Sequence, residues 1–122
     1  MIPKFRAWDK DERAMLDVHG INFDAQGIWT NELIDDESDG NFIFIDDVVL
    51  MQSTGLKDKN GVEIYEGDII RGPYDTGIIG YEMVTTEVKY DLLKGLQLGQ
   101  FDLNITEVIG NIYEKSELLE DN

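Results

Sequence analysis

The sequence predicts an all-β fold, built as a small barrel or roll of short strands. Three observations carry that expectation. Turn signals stand close together between short apolar runs: Asn60-Gly61 precedes Val62 and Ile64, and Glu66-Gly67-Asp68 precedes Ile69 and Ile70. VTTEVKY at 84–90 alternates, with Val84, Thr86, Val88 and Tyr90 on one face and Thr85, Glu87 and Lys89 on the other. No apolar stripe of helical period persists through the N-terminal third, where Met15, Val18, Ile21, Phe23 and Ile28 are set among polar residues.

Taken in order, IPKFRAW and MLDVHGINFDAQGIW read as short strands joined by turns, with Gly20 and Gly27 as breaks and His19 in a turn. Residues 31–41, NELIDDESDGN, read as an acidic loop. FIFIDDVVLMQST is rich in β-branched and aromatic residues and reads as one or two strands, with Asp46 and Asp47 marking a break or bulge. In the Asn60-Gly61 turn both residues tolerate positive φ. PYDTGIIGYEM at 73–83 reads as a hairpin or loop. LLKGLQLGQFDLNI fits a loop, a strand or a helical turn equally well. TEVIGNIYE at 106–114 reads as a last strand, with Gly110 at a bulge or a close backbone approach. SELLEDN then reads as a short helical turn with Ser116 as N-cap, or as a frayed tail.

Length and composition bound the function. A chain of 122 residues, 42% of them apolar, is expected to fold as one unit. It has no cysteine, hence no disulfide framework and no thiolate nucleophile or ligand, in keeping with a reducing cytoplasm. The N-terminus shows no signal peptide, and no apolar run approaches the roughly 20 residues that span a bilayer, so neither export nor membrane binding is expected. Twenty-six acidic residues against ten basic ones give a net charge of −16, which repels nucleic acid and anionic lipid. Lys4, Arg6, Lys10 and Arg13 form the one basic concentration.

Catalytic constellations are weak. His19 is the single histidine and lacks a cysteine partner. Ser38, Ser53 and Ser116 sit in no nucleophile-elbow motif. Asp35, Glu37, Asp39, Gly40, Phe42 and Asp46 approach a calcium loop, but Glu37 and Asp46 depart from its pattern and its flanking helices are not expected; a solvated loop explains the residues. Asp58 beside Asn60-Gly61 is explained by turn chemistry. Glu66 and Asp68, flanking Gly67, are explained as exposed turn carboxylates. Gly72, Gly77 and Gly80 lack the Lys-Ser/Thr and helix of a phosphate loop. No catalytic residue, metal site or cofactor is therefore expected. Aromatics are the better route to function: Trp8, Trp29, Tyr65, Tyr74, Tyr81 and Tyr113 exceed what a small module must bury, and grooves of small barrels bind peptides or bases through such residues.

KFRAWD at 4–9, Met51-Gln52, STGLKDKNGVEIYEGDII at 53–70 and EVIGNIYEKSELL at 107–119 together resemble the YopX family of bacteriophage and prophage proteins. Where that family usually ends in N-P-E-L-L, this chain has Lys115-Ser116 before Glu117-Leu118-Leu119. The resemblance implies an SH3-like β-roll with an additional N-terminal β extension. The expected organisation is an extension and acidic loop at 1–44, a roll at 45–114 and a tail at 115–122, within one domain. It implies no assigned activity, and the shared glycines and isoleucines have a structural explanation as turn and core residues. The expectation that follows is a non-enzymatic accessory module of the bacterial cytoplasm that binds a host or phage protein, with Trp29, Tyr74 and Tyr81 as partner-binding residues. Three other classes stand beside it: an acidic nucleic-acid mimic that blocks a host DNA-binding protein, a divalent-metal hydrolase on Asp35, Asp39, Asp46 and Asp47, and a self-associating structural protein with exposed sheet edges.

Overall fold

A computed structural model of the chain describes residues 4–30, 42–78, 80–89 and 97–120. The described residues form strands and 3-10 turns, and the fold is all-β. The strands are β1 (Phe5–Asp9), β2 (Ala14–Asn22), β3 (Gly27–Thr30), β4 (Phe42–Phe44), β5 (Val48–Lys57), β6 (Glu63–Tyr65), β7 (Asp68–Asp75), β8 (Tyr81–Glu87) and β9 (Glu107–Asn111). All neighbouring strands pair antiparallel. Two compact units divide the chain, Met1–Gln52 and Ser53–Asn122.

In the first unit the hydrogen-bonded order is β4-β3-β2-β1-β5. β1 is flanked on both sides, and Ala7 and Trp8 are both buried although they point to opposite faces. One face carries a core of Ala7, Ile28 and Val48, against which Val18, Ile21, Ile43, Ile45 and Leu50 pack. Val18 and Ile21 are three residues apart, a spacing that strict alternation sends to opposite faces. A register shift between Val18 and Gly20 resolves this by leaving His19 as an extra residue in the pairing with β3. His19 therefore lies inside a strand, exposed at a bulge, and not in a turn.

The β1–β2 and β2–β3 turns repeat one solution. Asp9 closes β1, and its Oδ1 accepts the N–H groups of Asp11 and Glu12 at 2.9 and 3.1 Å. Asn22 closes β2, and its Oδ1 accepts the N–H of Ala25 at 3.0 Å. Four residues beyond each, Arg13 and Gln26 adopt φ of 55°, the left-handed conformation that turns the chain back. Asp46 and Asp47 do break the FIFIDDVVLMQST segment, through a 3-10 turn at Ile45–Asp47 between β4 and β5.

In the second unit β5 continues and pairs with β6, while β8-β7-β9 form a three-stranded sheet. Ile64, Ile70, Val88, Leu98 and Phe101 make the core, with Tyr74, Val84, Leu103 and Val108 packed against it. In the β5–β6 turn Gly61 takes positive φ, at 78°, and Asn60 does not; the Gly61 N–H bonds the Asp58 carbonyl at 3.0 Å. Gly67 also has positive φ, 85°, and Asp68 Oδ2 accepts the Tyr65 N–H at 2.8 Å across that second turn. Gly72, central in β7, lies against Thr106, whose Cα is 2.9 Å from where a Cβ would stand.

β9 carries the expected irregularity. Ile69 pairs with Gly110 and Ile70 with Val108, which leaves Ile109 unopposed. The open side of Gly110 admits Lys115 and Leu118, whose atoms stand 2.9 to 3.1 Å from a Cβ built there. The chain ends in a 3-10 turn at Ser116–Leu119. Lys115 is its N-cap residue and no side chain caps it, so Ser116 is the first helical residue and not the cap.

Candidate functional site

The hairpin of β7 and β8 positions two of the three expected partner-binding residues and sends them to opposite faces. Register pairs Tyr74 with Glu82 and Asp75 with Tyr81. Tyr74 shares its face with Gly72, Ile70 and Val84, which is the core face. Its ring meets Phe101 edge-on, centroids 5.0 Å apart, and its hydroxyl donates to Gln100 Oε1 at 2.6 Å. Both the apolar body and the polar tip of Tyr74 thus anchor the 97–101 segment to β7.

Tyr81 lies on the other face and is 66% exposed. Met83 follows it at the same side of β8, 54% exposed, and pairs directly with Pro73 of β7. Next along this face, Arg71 Nη1 donates to Thr85 Oγ1 at 2.9 Å, and Asp75 stands opposite Tyr81. The result is an apolar group of Pro73, Tyr81 and Met83 between a cation and an anion. At its other end the same face is covered: Ile69 is fully buried where Lys115 and Leu118 reach the paired Gly110. Beyond the strands the connecting turn presents Ile78, 88% exposed. That turn is held by its own bonds, Thr76 N–H and Oγ1 to the Gly80 carbonyl at 3.0 and 2.8 Å and Gly77 N–H to Asp75 Oδ1 at 2.9 Å. The hairpin is an ordered display of large apolar side chains on a chain that is 30% charged.

Trp29 belongs to the first unit and is not part of this face. It is half-buried on β3, edge-on to Phe42 of β4 at 4.8 Å. Trp8 is buried, and Tyr65 is half-buried. The acidic residues considered for metal divide as well. Asp35, Glu37 and Asp39 lie outside the described residues, while Asp46 and Asp47 sit in the 3-10 turn before β5. Among the described residues no group of three or more His, Asp or Glu side chains is placed to hold a metal ion.

One carboxylate is strongly engaged. Asp58 is buried, and burial works against its charge; the N–H groups of Val108, Val62 and Asn60 and the nearby Lys59 outweigh that cost and hold its carboxyl below the ordinary range. Its carboxylate accepts from the backbone N–H groups of Asn60, Val62 and Val108, which makes it a structural clamp.

Comparison with known proteins places the chain. The family model described as YopX protein matches residues 4–120. The chain belongs to the YopX family. A crystal structure of protein EF1440 from Enterococcus faecalis is similar to this YopX member at 36% identity, covering 98% of this chain and 99% of that one, with a TM-score of 0.64. No curated protein matches. Within the described residues of this YopX chain, no helix is long and apolar enough to cross a membrane.

Met83 and Pro73 were not legible as site residues. The alternation of VTTEVKY begins three residues earlier than its β-branched run shows, at Tyr81, because Glu82 and the neighbouring glycines hide Tyr81 and Met83 as strand positions. Extending the period of two backwards from Thr85 through Met83 to Tyr81 is the signal that finds them.

Proposed function

We propose that the chain is a non-enzymatic protein-binding module, an accessory protein of phage or prophage origin acting in the bacterial cytoplasm. It engages its partner through the outer face of the β7–β8 hairpin. The observation that carries this reading is the pairing of Met83 with Pro73 beside Tyr81, three apolar side chains grouped on one sheet face with Tyr81 and Met83 more than half exposed. Apolar side chains scattered singly need no explanation, whereas a contiguous group rimmed by charges marks an interaction surface. Tyr and Met are also residue types enriched where proteins meet. Arg71 and Asp75 at the two ends of the group supply a polar rim that fixes the orientation of a partner. The accessory role draws on family membership, and the cytoplasmic one on the absence of cysteine.

The test is a paired capture from bacterial lysate with the tagged wild type and with Tyr81→Ser/Met83→Ser. Both changes replace exposed side chains, so the fold is expected to survive, which circular dichroism verifies. A protein retained by the wild type and lost by the double variant supports the reading. The same proteins recovered in the same amounts by both overturn it.

A further inference from the structure

β8 is an edge strand: its sheet runs β8-β7-β9, and among the described residues β7 is the one strand paired with it. The opposite edge of this sheet is closed. There Asp58 accepts the Val108 N–H of β9, and the Lys59 N–H bonds the Thr106 carbonyl just before it.

The register decides which backbone groups of β8 serve β7. Thr76 N–H bonds the Gly80 carbonyl at 3.0 Å and Val88 N–H bonds the Asp68 carbonyl at 2.8 Å, at the two ends of one continuous register. Bonded and non-bonded pairs alternate in an antiparallel ladder. Glu82, Val84 and Thr86 therefore bond to β7, while Tyr81, Met83, Thr85 and Glu87 turn their N–H and C=O groups away from it. Pro73, which has no N–H, stands opposite Met83, as a non-bonded pair allows. This outward edge is open at one end. Tyr81, Glu82 and Met83 are all exposed, whereas Val84 to Glu87 are half-buried and the 3-10 turn Ser116–Leu119 lies beside β8. Outward N–H and C=O groups on an exposed strand are a template for one more strand.

The side chains of the open stretch identify the occupant. A strand laid along it sets alternate residues beside Tyr81 and Met83 on the outer face, and the residue between them beside Glu82 on the other face. The two cations of the hairpin strands and their continuation are engaged elsewhere, Arg71 with Thr85 at 2.9 Å and Lys89 with Glu87 at 3.9 Å. Glu82 presents its charge to solvent, on a chain of net charge −16, so the complement of this edge is apolar–cationic–apolar. A second copy of the chain does not fit. Antiparallel pairing of Tyr81–Met83 with itself sets Glu82 opposite Glu82, and like charges directly opposite destabilise a ladder.

We infer that the Tyr81–Met83 edge of β8 takes an extended segment of a partner protein as an added antiparallel strand. Apolar residues of that segment lie against Tyr81 and Met83, and an arginine or lysine lies beside Glu82. Backbone bonds supply the attachment and the side-chain alternation supplies the selectivity. This rests on the hairpin as the binding site and adds how the partner is held and what it carries.

The experiment is fluorescence anisotropy with the full-length protein and a labelled seven-residue peptide of alternating Val and Lys, at about 0.15 M salt, where charge attraction beyond roughly 8 Å is screened. N-methylation of its valine nitrogens, which face β8 when the valines lie against Tyr81 and Met83, is expected to abolish binding. N-methylation of its lysine nitrogens, which face away, is expected to leave it. A Val-Glu peptide of equal length is expected not to bind, and Glu82→Gln to weaken Val-Lys binding about two- to fivefold. Equal binding of the two methylated peptides, equal binding of the Val-Glu peptide, an unchanged affinity of Glu82→Gln, or no binding of the Val-Lys peptide overturns the inference. The hairpin face is scored apart from this. A lysate protein lost by Tyr81→Ser/Met83→Ser while the Val-Lys peptide fails to bind overturns strand addition and leaves the face as the binding site.

Discussion

Asp58 Oδ2 accepts the backbone N–H of Val108 at 2.9 Å, joining the β5–β6 turn to β9 across fifty positions of sequence. Its other oxygen accepts Asn60 N–H at 2.8 Å and Val62 N–H at 2.9 Å. One carboxylate thus closes a local turn and ties a distant strand to it. Asp58→Ala leaves three donors without their acceptor and is expected to cost about 3 kcal/mol, read from the midpoint of urea unfolding. Asp58→Asn keeps one acceptor oxygen but sets an N–H group against another donor, and an intermediate loss is expected.

The same residue sets an acid sensitivity. Its carboxyl titrates below the ordinary value in the folded chain. Its contribution is therefore complete above the unfolded value of about 3.9 and is lost as pH falls from there through the lower folded value. The stability gap between wild type and Asp58→Asn should be constant from pH 7 to 5 and shrink below about pH 4. A gap unchanged at pH 3 would show that the carboxylate charge contributes nothing.

Gly72→Ala is expected to be severe for a reason of space. A Cβ there would collide with the Thr106 side chain and stand 2.9 Å from the Thr106 Cα. Thr106 is fully buried and its hydroxyl donates to the Asp102 carbonyl at 2.7 Å, so it has little room to retreat. A loss of about 2 to 3 kcal/mol is expected by thermal or urea unfolding.

Gln26→Gly should act in the opposite direction. Gln26 holds φ of 55° without the freedom of glycine, and relief of that strain outweighs the extra entropy of an unfolded glycine. A gain of about 0.5 to 1 kcal/mol is expected, with no change in the urea slope.

Much of the fold was legible because its turns use side chains that announce them. Gly61 and Gly67 sit where positive φ is needed, and the Asp46-Asp47 pair falls where β4 gives way to β5. Arg13 and Gln26 announce nothing, since their left-handed conformations are imposed by the Asp9 and Asn22 turns before them. His19 was misplaced for a related reason: beside a glycine it looks like a turn, yet both neighbours are paired and only the bulge is irregular. At the candidate sites residue type was readable and facing was not. Tyr74 and Tyr81 look equivalent in sequence, and only the β7–β8 register sends one inward and the other outward. Trp29 was legible as an aromatic, but its contact with Phe42 became visible only when β4 was laid against β3.

The bulge at His19 makes the length of β2 a counted quantity. Pairing this three-residue spacing without the bulge would turn either Val18 or Ile21 away from the core both now serve, whereas deleting His19 leaves the two residues two apart and on one face, so the extra residue and the bulge come and go together. Relatives that gain or lose residues in this region should therefore do so at 10–13 or 23–26, where Asp9 and Asn22 close the chain on itself, or lack the bulge and its one extra residue together.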